Sequence, residues 1–301
     1  HEGIQGVFRY EISDTISWRL SGFYQEQVND NDQTVTNLED LSTTLPAPDH
    51  QDDKALLIAN KISATVGAVT LQSVTGFYDR QYERQFVDPD SAAFLGAVGL
   101  DGNAESTNTN STKQFSQEFR IITNFNSPLN FVGGVLWSTS DTLTDGVVRE
   151  TTGTHREFVS MSGLEPSDVF YTLRFDISGD QLALFGELQA AFLDDRLRIT
   201  GGARYFEQTF EFPTNPPVAT APILEVFGNP SVGDPETFGK DRLMFDVSEI
   251  LPKAQVEFDV NHDIMLFASA ARGARNGLFN NPVSLVFAGF GAGDPVFDKL
   301  V

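Results

Sequence analysis

Few residues in this sequence have the types and spacing that catalysis would need. The chain has no cysteine, which excludes thiol nucleophiles, disulfides and sulfur-ligated metals. No Gly-x-Ser-x-Gly nucleophile elbow occurs. No pair of histidines has the spacing of a metal-binding helix motif, and the four of them fall at the first position, in two predicted loops and in a predicted turn: His1, His50, His155 and His262. We therefore predict no catalytic residue, no enzyme activity and no cofactor.

Two acidic clusters could offer oxygen ligands to a calcium ion. They are Asn29–Asp32 and Asp49–Asp53. Neither has the spacing of an EF-hand loop, so solvated acidic loops are the favoured interpretation and we predict no metal site.

The overall charge is strongly acidic, with 42 Asp and Glu against 20 Lys and Arg. This balance argues against a nucleic-acid partner, because phosphate binding requires the opposite sign.

A third set of polar residues alternates with apolar ones. In the segment 181–192 the apolar side chains fall on one side of a two-residue period, and Gln181, Glu187 and Gln189 fall on the other. After the short acidic turn Asp194-Asp195 the alternation resumes through 197–212. The two limbs therefore predict a β-hairpin with one apolar face. The glycine pair at 201–202 lies inside the second limb, where relief of crowding is the expected role.

The rest of the chain repeats this organisation. We predict about ten strands, with tight turns near Ser13, Gly67, Asn126, Asp194 and Asn261. The connections between these hairpins are long and polar, and they are expected at 28–53, 88–112, 141–178 and 213–240. Short strands within 169–177 are an open possibility in the third of them. The segment 54–66 leaves its faces ambiguous, because Leu56, Leu57 and Ile58 are adjacent.

The alternation of short turns with long loops favours one architecture. If neighbouring strands pair antiparallel, all the tight turns lie at one end of the sheet and all the long loops at the other. Outer-membrane barrels have this arrangement, and a tilted strand of about nine to eleven residues is long enough to cross a bilayer. The fold class predicted is therefore all-β: an antiparallel, up-and-down transmembrane β-barrel, incomplete at about ten strands.

Four segments, in order along the chain, resemble TonB-dependent outer-membrane receptors. The central one is the hairpin sequence ALFGELQAAFLDDRLRITGGARYFEQ, with its Phe-Gly-Glu limb, Asp turn and Gly-Gly-x-Arg-Tyr limb. The others are SVTGFY at 73–78, FSQEFR at 115–120 followed by FVGGVLW at 131–137, and LPKAQV at 251–256 followed by MLFASAARGARNGLFN at 265–280.

The resemblance implies a partial receptor barrel over residues 1–301, without a plug domain or terminal strands. It implies a receptor in the outer membrane of a Gram-negative bacterium, in contact with outer-membrane lipid. The solute would be a scarce one such as siderophore-bound iron, cobalamin or a glycan, taken up with energy from the TonB complex. Contact with TonB, through a TonB box, would use an N-terminal segment outside these residues. A passive porin-like barrel and a soluble secreted β-protein that binds glycans are the alternatives.

The barrel interpretation divides the candidate residues into two sets. The polar residues expected to face the lumen are Arg19, Glu118, Arg120, Glu187, Arg198 and Arg204. They could contact the plug, line the solute path or pair with neighbouring strands, and pairing is the expectation for most of them. The aromatic residues expected at the lipid-facing surface or its interfaces are Trp18, Tyr24, Phe119, Trp137, Phe192 and Tyr205.

Overall fold

A computed structural model describes residues 1–30, 50–87, 96, 104–163, 165–213 and 242–274. Ten strands and one helix make up this part of the chain. They are β1 (Glu2–Ser13), β2 (Ile16–Asn29), β3 (His50–Val66), β4 (Val69–Val87), β5 (Ala104–Thr123), β6 (Leu129–Glu150), α1 (Thr154–Met161), β7 (Val169–Phe192), β8 (Leu197–Pro213), β9 (Arg242–Asp259) and β10 (Met265–Ala271).

All ten strands form a single antiparallel sheet in which each strand pairs with its neighbours in sequence, from β1 to β10. The five predicted tight turns join β1 to β2, β3 to β4, β5 to β6, β7 to β8 and β9 to β10. The prediction of an up-and-down antiparallel sheet with short turns at one end is confirmed. Within the described residues β1 and β10 are edge strands, so the sheet is not closed.

Two of the predicted loops contain strand residues. β5 begins at Ala104, so the last nine residues of the predicted loop 88–112 belong to the sheet. β6 continues to Glu150, and the helix α1 lies between β6 and β7, so the predicted polar insertion is wrong for residues 141–150. β7 begins at Val169, so the possibility of strand structure within 169–177 is confirmed. The error has a physical cause. The segments of β5 and β6 carry polar residues on both faces and therefore lack the apolar alternation by which a strand is recognised. The start of β7 does alternate, with apolar residues at every odd position from 169 to 177.

The predicted loop positions of two histidines are wrong. His155 lies in α1 rather than in a loop, and His50 is the first residue of β3. Residues 214–240 of the fourth predicted loop lie outside the described residues.

The strand register decides which residues share a face, because directly paired residues of antiparallel strands point to the same side. Leu184 pairs with Val135 on β6 and with Tyr205 on β8. We call the face that carries Leu184 the outer face and the face that carries Glu187 the inner face. The ambiguity in β3 is resolved by the same rule. Ile58 pairs with Phe77 on the outer face, whereas Leu57 pairs with Tyr78 on the inner face.

The sheet has little buried apolar core in its described part. The few buried apolar side chains include Ala183 and Phe206, which pair with each other on the inner face. The large apolar residues of the outer face are exposed instead, among them Leu184 at 51% and Leu188 at 49%. No helix in the described ranges is long and apolar enough to cross a membrane.

Candidate functional site: the two faces of the sheet

The six aromatic residues predicted at the lipid-facing surface share the outer face. The register carries this face across the sheet, from Trp18 and Tyr24 on β2 to Tyr205 on β8. Phe119, Trp137 and Phe192 fall on it as well. Trp137 is exposed, and its ring lies 5.7 Å from that of Phe115, centroid to centroid.

The outer face carries an uncharged belt of nearly constant height. Counted from the turn end, it covers nine residues of β2 (Ile16–Tyr24) and eleven of β3 (Leu56–Val66). The segments Leu129–Trp137 of β6 and Leu197–Tyr205 of β8 are also nine residues long. No Asp, Glu, Lys or Arg points outward within these four segments. This height matches an apolar band of about 25 Å on tilted strands.

Tyrosines mark the upper edge of the belt, at the end away from the turns. Tyr24 donates a hydrogen bond from its hydroxyl to Glu26 at 3.2 Å, and Tyr205 does so to Glu207 at 3.4 Å. Each tyrosine therefore has an apolar ring within the belt and a polar tip at the first charged residue above it. This is the arrangement expected of an aromatic girdle at a membrane interface.

Four polar residues interrupt the belt, and each has a hydrogen-bond partner on the outer face. Gln117 accepts a hydrogen bond from the Thr75 hydroxyl at 2.7 Å and donates one to the Ser73 hydroxyl at 3.0 Å. Asn60 accepts a hydrogen bond from the Trp18 indole at 2.5 Å. Polar groups that face hydrocarbon must find their partners within the protein, and these do.

The six predicted lumen-facing residues all lie on the inner face. The strand pairing places side chains from β2, β5, β7 and β8 on this same face. The residues are Arg19, Glu118, Arg120, Glu187, Arg198 and Arg204. Whether this face borders a lumen stays a prediction.

Four of these six residues form ion pairs. Glu118 pairs with Arg120 on the same strand. Glu187 lies 3.0 Å from the Lys253 ammonium. Arg198 lies 2.8 Å from a carboxylate oxygen of Glu257, and it also bonds Asp259.

Arg19 and Arg204 form no ion pair with any described residue. The Nε group of Arg204 is buried and has no hydrogen-bond partner within the described ranges.

Gly202 has the predicted role of relieving crowding. A Cβ atom there would lie 2.7 Å from the Gly186 carbonyl oxygen and 3.2 Å from the Glu187 Cα atom. A side chain would therefore force the two strands apart. Gly201 points outward into open space, so the prediction is wrong for this residue.

Above the belt, the inner face contains a groove that sequence reasoning missed. Its volume is about 480 Å³, and its lining residues come from β3, β4, β5 and β6: Gln51, Arg80, Tyr82, Asn110, Thr112 and Thr142. The available signal was the run of neutral polar residues at every second position of β5. It went unused because the segment was interpreted as a loop.

A second missed feature lies at the connection between β6 and β7. Glu150 is 3% exposed, and its carboxylate accepts hydrogen bonds from the backbone amides of Thr152 and Gly153 at the start of α1. His155 is fully buried, and its Nδ1 lies 3.0 Å from the Ser167 carbonyl oxygen. Burial lowers the pKa of His155, against the opposing effects of the bond to Ser167 and of the charges on Glu150 and Asp168.

No group of three or more His, Asp or Glu side chains could hold a metal ion within the described part of the chain. Half of the first calcium alternative and the loop that follows it, residues 31–49, lie outside the described residues. Asp53 of the second alternative instead binds Arg80 through two contacts of 2.6 and 2.8 Å.

Comparison with known proteins adds a family. The family model described as "TonB dependent receptor-like, beta-barrel" matches residues 3–297. A search of curated protein sequences found no match.

Several solved structures share the fold at low sequence identity. The ferric yersiniabactin uptake receptor FyuA from Yersinia pestis is 11% identical with a TM-score of 0.61, over 87% of this chain and 36% of that one. The ferric-catecholate import receptor Fiu from E. coli K12 is 9% identical with a TM-score of 0.59, over 89% and 46%. The ferric preacinetobactin receptor BauA from Acinetobacter baumannii is 8% identical with a TM-score of 0.53, over 89% and 39%. The chain thus spans less than half the length of each.

Proposed function

Because this chain belongs to the TonB-dependent receptor β-barrel family, we propose that it is part of a receptor that takes up a scarce solute with energy supplied through TonB. Its place is the outer membrane of a Gram-negative bacterium, where the members of this family reside.

The observation that carries the proposal is the asymmetry of the sheet. The outer face has an uncharged belt bounded by tyrosines, and the inner face has paired charges at the same height. Such a sheet is stable where one side meets hydrocarbon and the other meets water or protein. The exposed apolar belt argues against a soluble secreted protein, which rarely exposes an apolar patch of more than a few hundred Å².

In this proposal residues 1–301 are a barrel segment, and the plug and the TonB-binding segment belong to other residues of the full-length protein. The six inner-face charges border the lumen, where Glu187, Arg198 and their partners mainly tie neighbouring strands together. Arg19 and Arg204 are the two available to a plug or a passing solute. The six outer-face aromatics contact lipid or its interface.

The test is energised uptake by the full-length protein in its own cell envelope. Cells that need the solute for growth should take it up when TonB is present and should stop when the tonB gene is deleted, although the receptor remains in the outer membrane. Uptake that continues without TonB, in proportion to external concentration, would instead establish a passive porin-like barrel. Siderophore-bound iron, cobalamin and a glycan are the solutes to compare.

A further inference from the structure

The inner-face groove above the belt is lined by groups that form hydrogen bonds but carry almost no charge. Six successive inward positions of β5 are Ser106, Asn108, Asn110, Thr112, Gln114 and Ser116. On β6 they face Ser138, Ser140, Thr142 and Thr144. Ten neutral side chains on one surface are notable in a chain with 62 charged residues, which is the sum of its 42 acidic and 20 basic ones.

The one charged residue among those that line the groove is already neutralised. The Arg80 guanidinium donates to both carboxylate oxygens of Asp53, at 2.8 Å from Nε and 2.6 Å from Nη2. It also lies 5.3 Å from the centroid of the Tyr82 ring. A bidentate pair of this kind is geometrically fixed, and it offers little net charge to a ligand.

The hydroxyl and amide groups retain hydrogen-bonding capacity. The hydroxyls of Thr112 and Thr142 lie 3.1 Å apart, so one donates to the other and the second keeps its proton. The Thr144 hydroxyl donates to Oδ1 of Asn110 at 2.7 Å, and the Asn110 amide nitrogen forms no hydrogen bond with a described residue. The groove therefore presents both donors and acceptors.

The opposite surface of the same strands shows that this neutrality is specific to the inner face. Charged residues occupy the outward positions of β4, β5 and β6 at this height: Asp79, Glu83, Glu105, Lys113, Asp141 and Asp145. On the inner face at this height the charged residues are Asp53 and Arg80, which neutralise each other, and Arg84, which pairs with Gln51 in the register and lies 4.7 Å from the centroid of the Phe86 ring. Arg84 is not among the residues that line the groove. An anionic chelate therefore finds little electrostatic complementarity in the groove lining itself.

We propose that the groove formed by Gln51, Arg80, Tyr82, Asn110, Thr112 and Thr142 binds an uncharged, hydroxyl-rich solute, namely a neutral oligosaccharide. The inference rests on the proposed transport function and names its substrate class. Tyr82 supplies the apolar ring surface on which a sugar ring can pack. The threonine hydroxyls and the Asn110 amide bond the sugar hydroxyls, so an analogue that lacks those hydroxyls would leave them unpaired.

The experiment uses the full-length receptor purified in detergent, with titration calorimetry of two sets of probes. One set is neutral linear oligosaccharides built from glucose or xylose, and the other is anionic ferric chelates, with ferric citrate as the reference. The variants are Tyr82→Ala, the double variant Thr112→Val with Thr142→Val, and Asn110→Asp. Thr109→Val is the matched control, because Thr109 is exposed on the outer face of the same strand.

We expect an oligosaccharide to bind and the ferric chelates not to bind. Tyr82→Ala and the double threonine variant should each weaken oligosaccharide binding by about tenfold or more, equivalent to at least ~1.4 kcal/mol. Thr109→Val should leave it unchanged. Asn110→Asp should also weaken it, because the amide donor to a sugar hydroxyl is lost, but the added negative charge would weaken the binding of an anionic chelate far more.

Binding of ferric chelates, with sensitivity to Asn110→Asp, would overturn the inference, and so would failure of every oligosaccharide in the panel to bind. Energised uptake separates this outcome from failure of the proposed function. TonB-dependent uptake of a chelate would preserve the receptor and reject only the oligosaccharide. Retention of the folded, faster-migrating form on unheated gels shows for each variant that the barrel has formed.

Discussion

At the scale of single residues, His155 gives the connection between β6 and β7 a dependence on pH. Its imidazole is buried, and it faces Glu150 and Asp168. Burial lowers its pKa below the ordinary value of about 6.5. The unfolded segment therefore binds more protons than the folded one as the pH falls below that value, and the stability of the segment decreases.

The measurement is hydrogen exchange of the amides of 154–170 at about pH 7.5 and about pH 5.5, on either side of the ordinary histidine pKa. After correction for the intrinsic rate, we expect faster opening of this segment at the lower pH. The His155→Gln variant should lose the difference between the two pH values. Equal protection at both values in the unmodified protein would contradict the prediction.

Gln117 permits a second prediction at this scale. Replacing it with leucine would leave the hydroxyls of Ser73 and Thr75 without their partner on the outer face. We expect the free energy of unfolding to fall by about 1 kcal/mol, the usual effect of orphaning a hydrogen-bonding group.

Urea unfolding in lipid vesicles measures this change in the full-length protein. The triple variant Ser73→Ala, Thr75→Val and Gln117→Leu is the control. It should recover most of the loss, because removing all the partners leaves no polar group unpaired. A triple variant that is less stable than Gln117→Leu alone would show that the polar groups stabilise the belt in another way.

At the scale of elements, the turn between β7 and β8 holds three non-glycine residues in the left-handed region. Leu193, Asp194 and Asp195 have φ angles of 57°, 54° and 64°. Glycine adopts this region without steric cost. We expect Asp195→Gly to stabilise the protein by about 0.5–1 kcal/mol.

The turn between β3 and β4 provides the matched control. Gly67 has a φ of 61° and has open space around it, so Gly67→Ala tests the backbone alone. It should destabilise by a similar amount, about 1 kcal/mol. Urea unfolding of both variants measures whether the free energy of unfolding rises or falls. A loss of stability in Asp195→Gly would show that the aspartate side chain has a role in the turn.

The elements also show what the sequence could and could not predict. Wherever one face is apolar, as in β2 and β8, alternation predicts the strand and its faces, because burial in hydrocarbon demands it. The upper parts of β5 and β6 are polar on both faces. Neither face is buried in hydrocarbon there, so the sequence shows no alternation from which a strand could be predicted. The helix α1 has only eight residues, too few for a strong periodic signal.

The charged residues of the inner face were also predictable only in part. The sequence predicted which charges share a face, since that depends only on the two-residue period. It could not predict their partners, because these depend on register between distant strands. Arg198 bonds Glu257 and Asp259, which follow it by 59 and 61 residues. The groove was missed because part of β5 was interpreted as a loop, and because the four strands that line it meet only through their register.

At the scale of the whole molecule, the surrounding solvent decides whether the sheet is stable. In water, the exposed leucines and aromatics of the outer face would promote aggregation, and the edges of β1 and β10 would add to it. In a bilayer the same belt is solvated by lipid. Its two faces should therefore respond very differently to a single charge placed at the same height.

Leu188 and Gln189 test this difference with adjacent residues of β7. Leu188 lies within the outer-face belt and Gln189 lies on the inner face beside Glu187. We expect Leu188→Arg to cost about 2–4 kcal/mol in the free energy of unfolding from lipid vesicles, the depth-dependent cost of an arginine near the middle of the bilayer. Gln189→Arg should cost less than about 1 kcal/mol, because the new cation stays in polar surroundings and can pair with the Glu187 carboxylate. Equal costs for the two variants would mean that hydrocarbon does not cover the outer face, and the transmembrane assignment of the sheet would fail.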